Sequence, residues 1–404
     1  MSHPQSHVLP SDPGRIGLPG IVHGAAVVAV LAGAATLGLA FGRGDAPLAW
    51  SAYLIGAVYA LGLGVFGIAW LAILYLTNAD WAVGMRRIPE AMTAWLIPGG
   101  AAAMVVGLGA QTLYHWSHAD AVAADRLLAH KAPFLNMTMF NGLVGASLVL
   151  WVVFAAVIVG ISRRQDREGG MTPTRRNRTL SALFLVFFAI TLSIVSFYLL
   201  LSLEAHWFST MFAVLVFTDI VQTGTAFVAV VAGLFLAAGR LKGFLNESHL
   251  HSLGKMVFAS TGFWAYIYFC QFMLIWYANI PEETAYYLRR VENGWLPYML
   301  ALPALKFVVP FVLLVPRNAK RNPGMLVPVS VLIMMAQFWE LFVMVGPAIG
   351  QGEEAAVAHL PLVEFGATVG FVGLFTLVFG WSLARHNAVP LKDPAIGACL
   401  EYDS

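Results

Sequence analysis

Ten stretches of predominantly apolar residues run almost end to end through this chain, at about 21–40, 51–77, 91–112, 136–162, 179–203, 207–239, 255–279, 296–316, 325–347 and 361–384. A helix of about 20 residues, rising 1.5 Å per residue, crosses the roughly 30 Å hydrocarbon layer of a bilayer. No water reaches the backbone there, so only helices or closed barrels can span the layer. These stretches are too long and too uniformly apolar for barrel strands. The fold class expected is an all-α polytopic membrane protein with ten transmembrane helices. Composition agrees, since 59% of the 404 residues are hydrophobic and 11% are charged, against about a quarter charged in a soluble domain. The sixth stretch is longer than a span needs and is expected to begin in the interface.

Placement of the basic residues predicts the orientation. The N-terminus, the connections 2–3, 4–5, 6–7 and 8–9, and the C-terminus hold 17 of the 23 Lys and Arg, six of them between Arg163 and Arg178. The opposite connections hold five: Arg43, Arg126, Lys131, Arg289 and Arg290. Both termini are therefore expected in the cytoplasm, with tails at 1–20 and 385–404. The connections 113–135, 280–295 and 348–360 are expected outside. The first twenty residues lack the basic and apolar regions of a cleaved signal, so the first span is expected to direct its own insertion. The arginine-rich 4–5 loop is most simply the positive-inside signal itself. Glycines at 62, 64, 67, 107 and 109 suit close helix packing.

Redox ligands are scarce. Two cysteines, Cys270 and Cys399, cannot form a disulfide framework or hold an iron–sulfur cluster. No Cys-x-x-Cys-His run exists to attach haem c. Of the eleven histidines, His23, His115 and His206 lie near span ends and the others in loops or tails, which argues against a bis-His haem inside the bilayer.

The remaining signal is polar. Ionisable groups within spans cost a few kcal/mol each and call for a partner or a pathway. Three stand out: Asp219 in the sixth span, Lys306 in the eighth and Glu340 in the ninth, at depths that allow them to meet. Gln222 and Thr223 follow Asp219 at i+3 and i+4, and Gln337 precedes Glu340 by three. On the seventh span, Ser260, Trp264, Tyr268 and Gln271 form one polar stripe, so that this aromatic-rich span is expected to line something. Pro303 and Pro310 bracket Lys306 and would bend its helix, freeing backbone carbonyls. Two readings stand side by side. One is a structural ion pair of Lys306 with Glu340 or Asp219; the other is a proton-conducting chain through spans six to nine, because two carboxylates sharing one Lys leave one able to titrate. Glu204 and His206, at the outer turn between spans five and six, suggest a second proton-handling pair; the plainer reading is an interfacial cap with Trp207 as anchor. Spans two to five show almost no buried charge, only Tyr53, Tyr59, Tyr75, Gln111, Asn136 and Asn141, and offer little for a quinone.

The segment FWAYIYFCQFMLIWYANIPEET (263–284), with MRRIPEAM (85–92), LEAHWFSTMF (203–212) and LVPRNAKRN (314–322), resembles the NrfD-type integral membrane subunits. Within that group it is similar to the second, F-type subunit of alternative complex III, a quinol:cytochrome c oxidoreductase. These stretches spread over about residues 50–385. The resemblance implies two four-helix bundles, spans 2–5 (about 51–203) and 6–9 (about 207–347), with spans 1 and 10 peripheral. It further implies a bacterial inner-membrane complex with a homologous C-type subunit, an iron–sulfur subunit and multi-haem cytochrome c subunits. Quinol would be a substrate of the complex, while this subunit would bind no cofactor, scaffold the assembly and supply a proton path. Where the family's ninth span is expected to carry His and Asp, this chain has Gln337 and Glu340. Other readings are an NrfD-type anchor of a molybdenum reductase, or an ion or proton transporter. Membrane lipids, and not nucleic acid, are expected around it.

Overall fold

The computed structural model describes residues 10–291, 293–349 and 356–403; the expected outer connection 348–360 and the N-terminal tail thus lie partly outside the described residues. Among the described residues ten helices are long and apolar enough to cross a membrane: α1 (Gly20–Gly42), α2 (Ala46–Leu76), α3 (Arg87–Leu113), α4 (Met137–Glu168), α5 (Thr172–Leu199), α6 (Met211–Ala237), α7 (Glu247–Ala278), α8 (Leu296–Leu314), α9 (Pro323–Ile349) and α10 (Leu362–Ala384). The chain is an all-α polytopic membrane protein. Helices α2 to α5 pack together, as do α6 to α9, and α1 lies against α10, which rests on α2. Helix α2 is buried along most of its length, because it also touches α6 and α9 and so forms the wall shared by the two bundles.

Small residues allow these approaches. A Cβ on Gly67 would stand 2.8 Å from the Met92 Cβ and the Pro89 carbonyl, and one on Gly33 would stand 2.5 Å from the Gly370 Cα. Close backbone contact supplies dispersion where lipid removes the hydrophobic drive between helices.

Several boundaries differ from expectation for physical reasons. Helix α7 starts at Glu247, not near 255, because Asn246 caps it by accepting from Ser248 N (2.9 Å) and His249 N (3.1 Å). Its first two turns are polar, so hydropathy passes over them. Helix α6 starts at Met211, and Trp207 precedes it as a buried residue stacked on Tyr286 at 4.1 Å. Trp207 is not the interfacial anchor expected from the sequence. The C-terminal tail folds back: Asp393 pairs with Arg86 at 2.6 Å, and the Tyr402 hydroxyl meets Ser252 at 2.7 Å. This tail ties the two bundles together at the end rich in Lys and Arg, here called the basic-rich end.

Candidate functional site

Four helices of the second bundle converge on Lys306. Its side chain is completely buried, and an ammonium there must place all three N–H donors. They go to Asp219 Oδ1 on α6 (2.7 Å), Gln337 Oε1 on α9 (2.7 Å) and Glu340 Oε2 on α9. From α7, Trp264 Nε1 donates to both oxygens of Glu340 (3.1 and 3.2 Å), and its ring centroid lies 4.8 Å from the Lys306 Nζ. One cation thus faces two carboxylates in the buried interior, an arrangement whose charge balance is completed by one proton.

The backbone of α8 explains how Lys306 reaches this position. Pro310 lacks the N–H that a regular helix would aim at the Lys306 carbonyl. The chain widens into a π turn over Ala304–Val308, and Gln222 Nε2 donates to the freed carbonyl at 2.8 Å. Gln222 also reaches Thr261 (3.2 Å), while Thr223 donates to Gln337 Oε1 (3.1 Å). Thr225 and Ser260 meet at 3.2 Å. A mostly apolar cavity of about 50 Å³, bounded by Tyr59 and Gly62 of α2 and by Trp151, reaches Asp219, Thr223 and Gln337 from between the bundles.

The polar chain continues towards the basic-poor end. Tyr268 stacks on Trp264 at 4.8 Å. Gln271, buried with its Oε1 unpaired, borders with Tyr268, Glu340, Tyr286 and Arg290 a cavity of about 20 Å³, room for about one water. Arg290 closes this cavity. Its guanidinium donates to the carbonyls of Val343 (3.1 Å), Tyr286 (2.9 Å) and Met344 (2.8 Å), and pairs with Glu204 Oε1 at 2.7 Å. Burial works against the Arg290 charge, yet Glu204 together with Tyr286 and Tyr287 outweighs it and the net shift is upward. Glu204 also borders a vestibule of about 820 Å³ shared with His115, His118, Asp125, His206 and Glu282. In the other direction, towards the basic-rich end, Leu250, Leu253, Val257, Leu326, Val329 and Ile333 are buried and apolar.

The sequence-predicted residues therefore divide. Asp219, Gln222, Thr223, Lys306 and Glu340 meet in one cluster, with Tyr268 and Gln271 beside it. Glu204 joins through Arg290. His206 does not pair with Glu204; it is half-exposed and contacts Asp125 at 2.5 Å. That hydrogen bond from His206, with backbone donors from Leu127 and Leu128, pulls the Asp125 carboxyl down to about 2. The seventh span divides as well: Trp264 and Gln271 face inwards, whereas Tyr266, Trp276 and Tyr277 are 64%, 68% and 84% exposed on the outer surface. Its aromatic load mostly faces away from the site. Among the described residues no group of three or more His, Cys, Asp or Glu has the geometry to hold a metal.

Sequence reasoning missed three features. Arg290 counted only as a loop charge. Glu364, buried at the start of α10, accepts from or shares a proton with His359 at 2.8 Å. The first bundle is not free of buried charge, since Arg86, Arg87 and Glu90 are buried at its basic-rich end. There Glu90 pairs with Arg87 and accepts from Ser162 at 2.5 Å, and Arg87 also pairs with Asp166. The cue was the motif RRIPEA, in which the i, i+3 spacing sets Arg87 and Glu90 on one helical face. No family profile and no curated protein matches the chain.

Proposed function

We propose that this chain is an integral subunit of a quinol-oxidising respiratory complex of the alternative complex III type, and that its second bundle conducts protons during quinol oxidation. The observation that carries the proton role is Lys306, fully buried between Asp219, Glu340 and Gln337. A purely structural pair needs one carboxylate; here two share one ammonium, and the second provides a site that can gain and lose a proton. Tyr268, Gln271, the water-sized cavity and the Arg290–Glu204 pair extend that site towards the basic-poor end. The resemblance to NrfD-type subunits supports the assignment to a complex. Electron transfer belongs in this reading to iron–sulfur and haem c partners, with quinol as the substrate of the assembly and a homologous C-type subunit beside it. The membrane is the bacterial inner membrane, with both termini cytoplasmic.

The test uses the complex purified in mild detergent and returned to vesicles. Glu340→Gln and Lys306→Met, separately and together, are expected to lower proton release per quinol while leaving the haem spectrum intact. Unchanged proton release in an intact complex makes the cluster structural. Purification as a single haem-free polypeptide overturns the assignment to the complex and favours a transporter; co-purification with a molybdenum subunit favours the reductase anchor.

A further inference from the structure

At the basic-poor end, between α4 and α5, a groove of about 790 Å³ runs down the outside of the first bundle. Its walls are Leu143, Ile194, Phe197 and Leu201, and Phe134 and Phe208, 74% and 58% exposed, flank it. Ile194 lies five residues inside the end of α5 at Leu199, so the trough reaches about 8 Å below the helix end at 1.5 Å per residue. That is the depth of acyl chain beneath a headgroup, and the walls there are mostly apolar, with the Tyr198 and Ser202 hydroxyls already donating to the Phe134 and Tyr198 carbonyls.

Lys131 stands at the head of the groove. It is half-buried, its Nζ donates to the Ala205 carbonyl at 2.6 Å, and Phe208 lies 5.7 Å away. One of three ammonium donors is thereby used, and among the described residues no carboxylate lies within ion-pair distance of it. Burial pushes its pKa down, with Asp125 only partly opposing. Basic residues are rare at this end, five against 17, so this cation does not serve the charge asymmetry that orients the chain. A cation with spare donors at the mouth of an apolar trough matches an amphiphile with an anionic head.

We propose that this groove binds one anionic phospholipid, with its phosphate on Lys131 and one acyl chain along Leu143, Ile194 and Phe197. The phosphate takes the two donors that Ala205 leaves free, and the chain fills the space between α4 and α5. Binding is independent of whether the second bundle moves protons.

The protein, with whatever subunits accompany it, is washed in mild detergent, and bound lipid is counted by native mass spectrometry. Phosphatidylglycerol and phosphatidylcholine are then added back in parallel. Wild type is expected to keep one anionic phospholipid and to prefer phosphatidylglycerol at least tenfold. Lys131→Gln removes that preference, Ile194→Trp fills the trough and lowers retention of both lipids, and Lys255→Gln, an exposed cation at the other end, behaves as wild type. Helicity and elution volume check each variant, and if Ile194→Trp fails to fold, Lys131→Gln decides. Equal retention by Lys131→Gln, indifference to headgroup charge, or a quinone found in place of phospholipid overturns the proposal.

Discussion

At the scale of single residues, what matters is which buried charges have partners. Lys306 has three acceptors and none to spare, and Arg290 is held by three carbonyls and Glu204. Burial alone would neutralise or expel such groups; completed hydrogen bonding keeps them. The sequence showed Lys306, Asp219 and Glu340 because charges within apolar runs are conspicuous. Arg290 was hidden, because a charge in a loop looks solvated until a neighbouring helix covers it. His359 offers a pH test at this scale. Its hydrogen bond to Glu364 raises its pKa above the ordinary value, with burial opposing. A raised pKa means that stability is fully present below the unfolded value of about 6.5 and is lost as pH rises through the folded value. His359 is 42% exposed, so the pair contributes about 0.5 kcal/mol. His359→Gln is expected to melt about 1 °C lower than wild type at pH 5.5. Once the pH stands well above the folded value the two should melt together, and a gap that persists there removes the imidazolium from the account.

Among the elements, α8 departs furthest from regular geometry, and its sequence says why. Two prolines remove donors on either side of Lys306, the helix opens into a π turn, and a glutamine from α6 fills the vacancy at the Lys306 carbonyl. The bend was legible; the identity of the compensating donor was not, since Gln222 lies 84 residues away. A double-mutant cycle tests this coupling. Gln222→Leu in wild type strands a buried carbonyl and is expected to cost about 1 kcal/mol, in the range measured for hydrogen bonds between membrane helices. In a Pro310→Ala background the backbone supplies its own N–H, and the same change should cost less than half as much. Denaturant unfolding in mixed micelles reads both, and equal costs would refute the exchange of donors. Helix α7 teaches the complementary lesson. Its aromatic content read as a lining, but of its aromatics Trp264 and Tyr268 line the site, and the outer face, with Phe263, Tyr266, Phe269, Trp276 and Tyr277 exposed, carries more.

On the scale of the whole molecule, α2 is the hinge of the design, shared by both bundles and by α10, while the C-terminal tail ties the bundles together at the basic-rich end through Arg86–Asp393 and Ser252–Tyr402. The charge asymmetry of 17 to 5 predicts that a fluorescent protein fused after Ser404 folds and glows in the cytoplasm, and that alkaline phosphatase fused there stays inactive. The reverse result would invert the direction of any proton route. The sequence by itself determined the number of helices, their approximate limits and three of the charges they bury. Spanning length and the cost of buried charge are local properties that each segment carries alone. Only the tertiary structure decided that Glu204 turns to Arg290 and His206 to Asp125, that Trp207 is buried under Tyr286, and that Gln222 serves Lys306. Those choices depend on which distant segment arrives beside each side chain, and hydropathy contains no term for that.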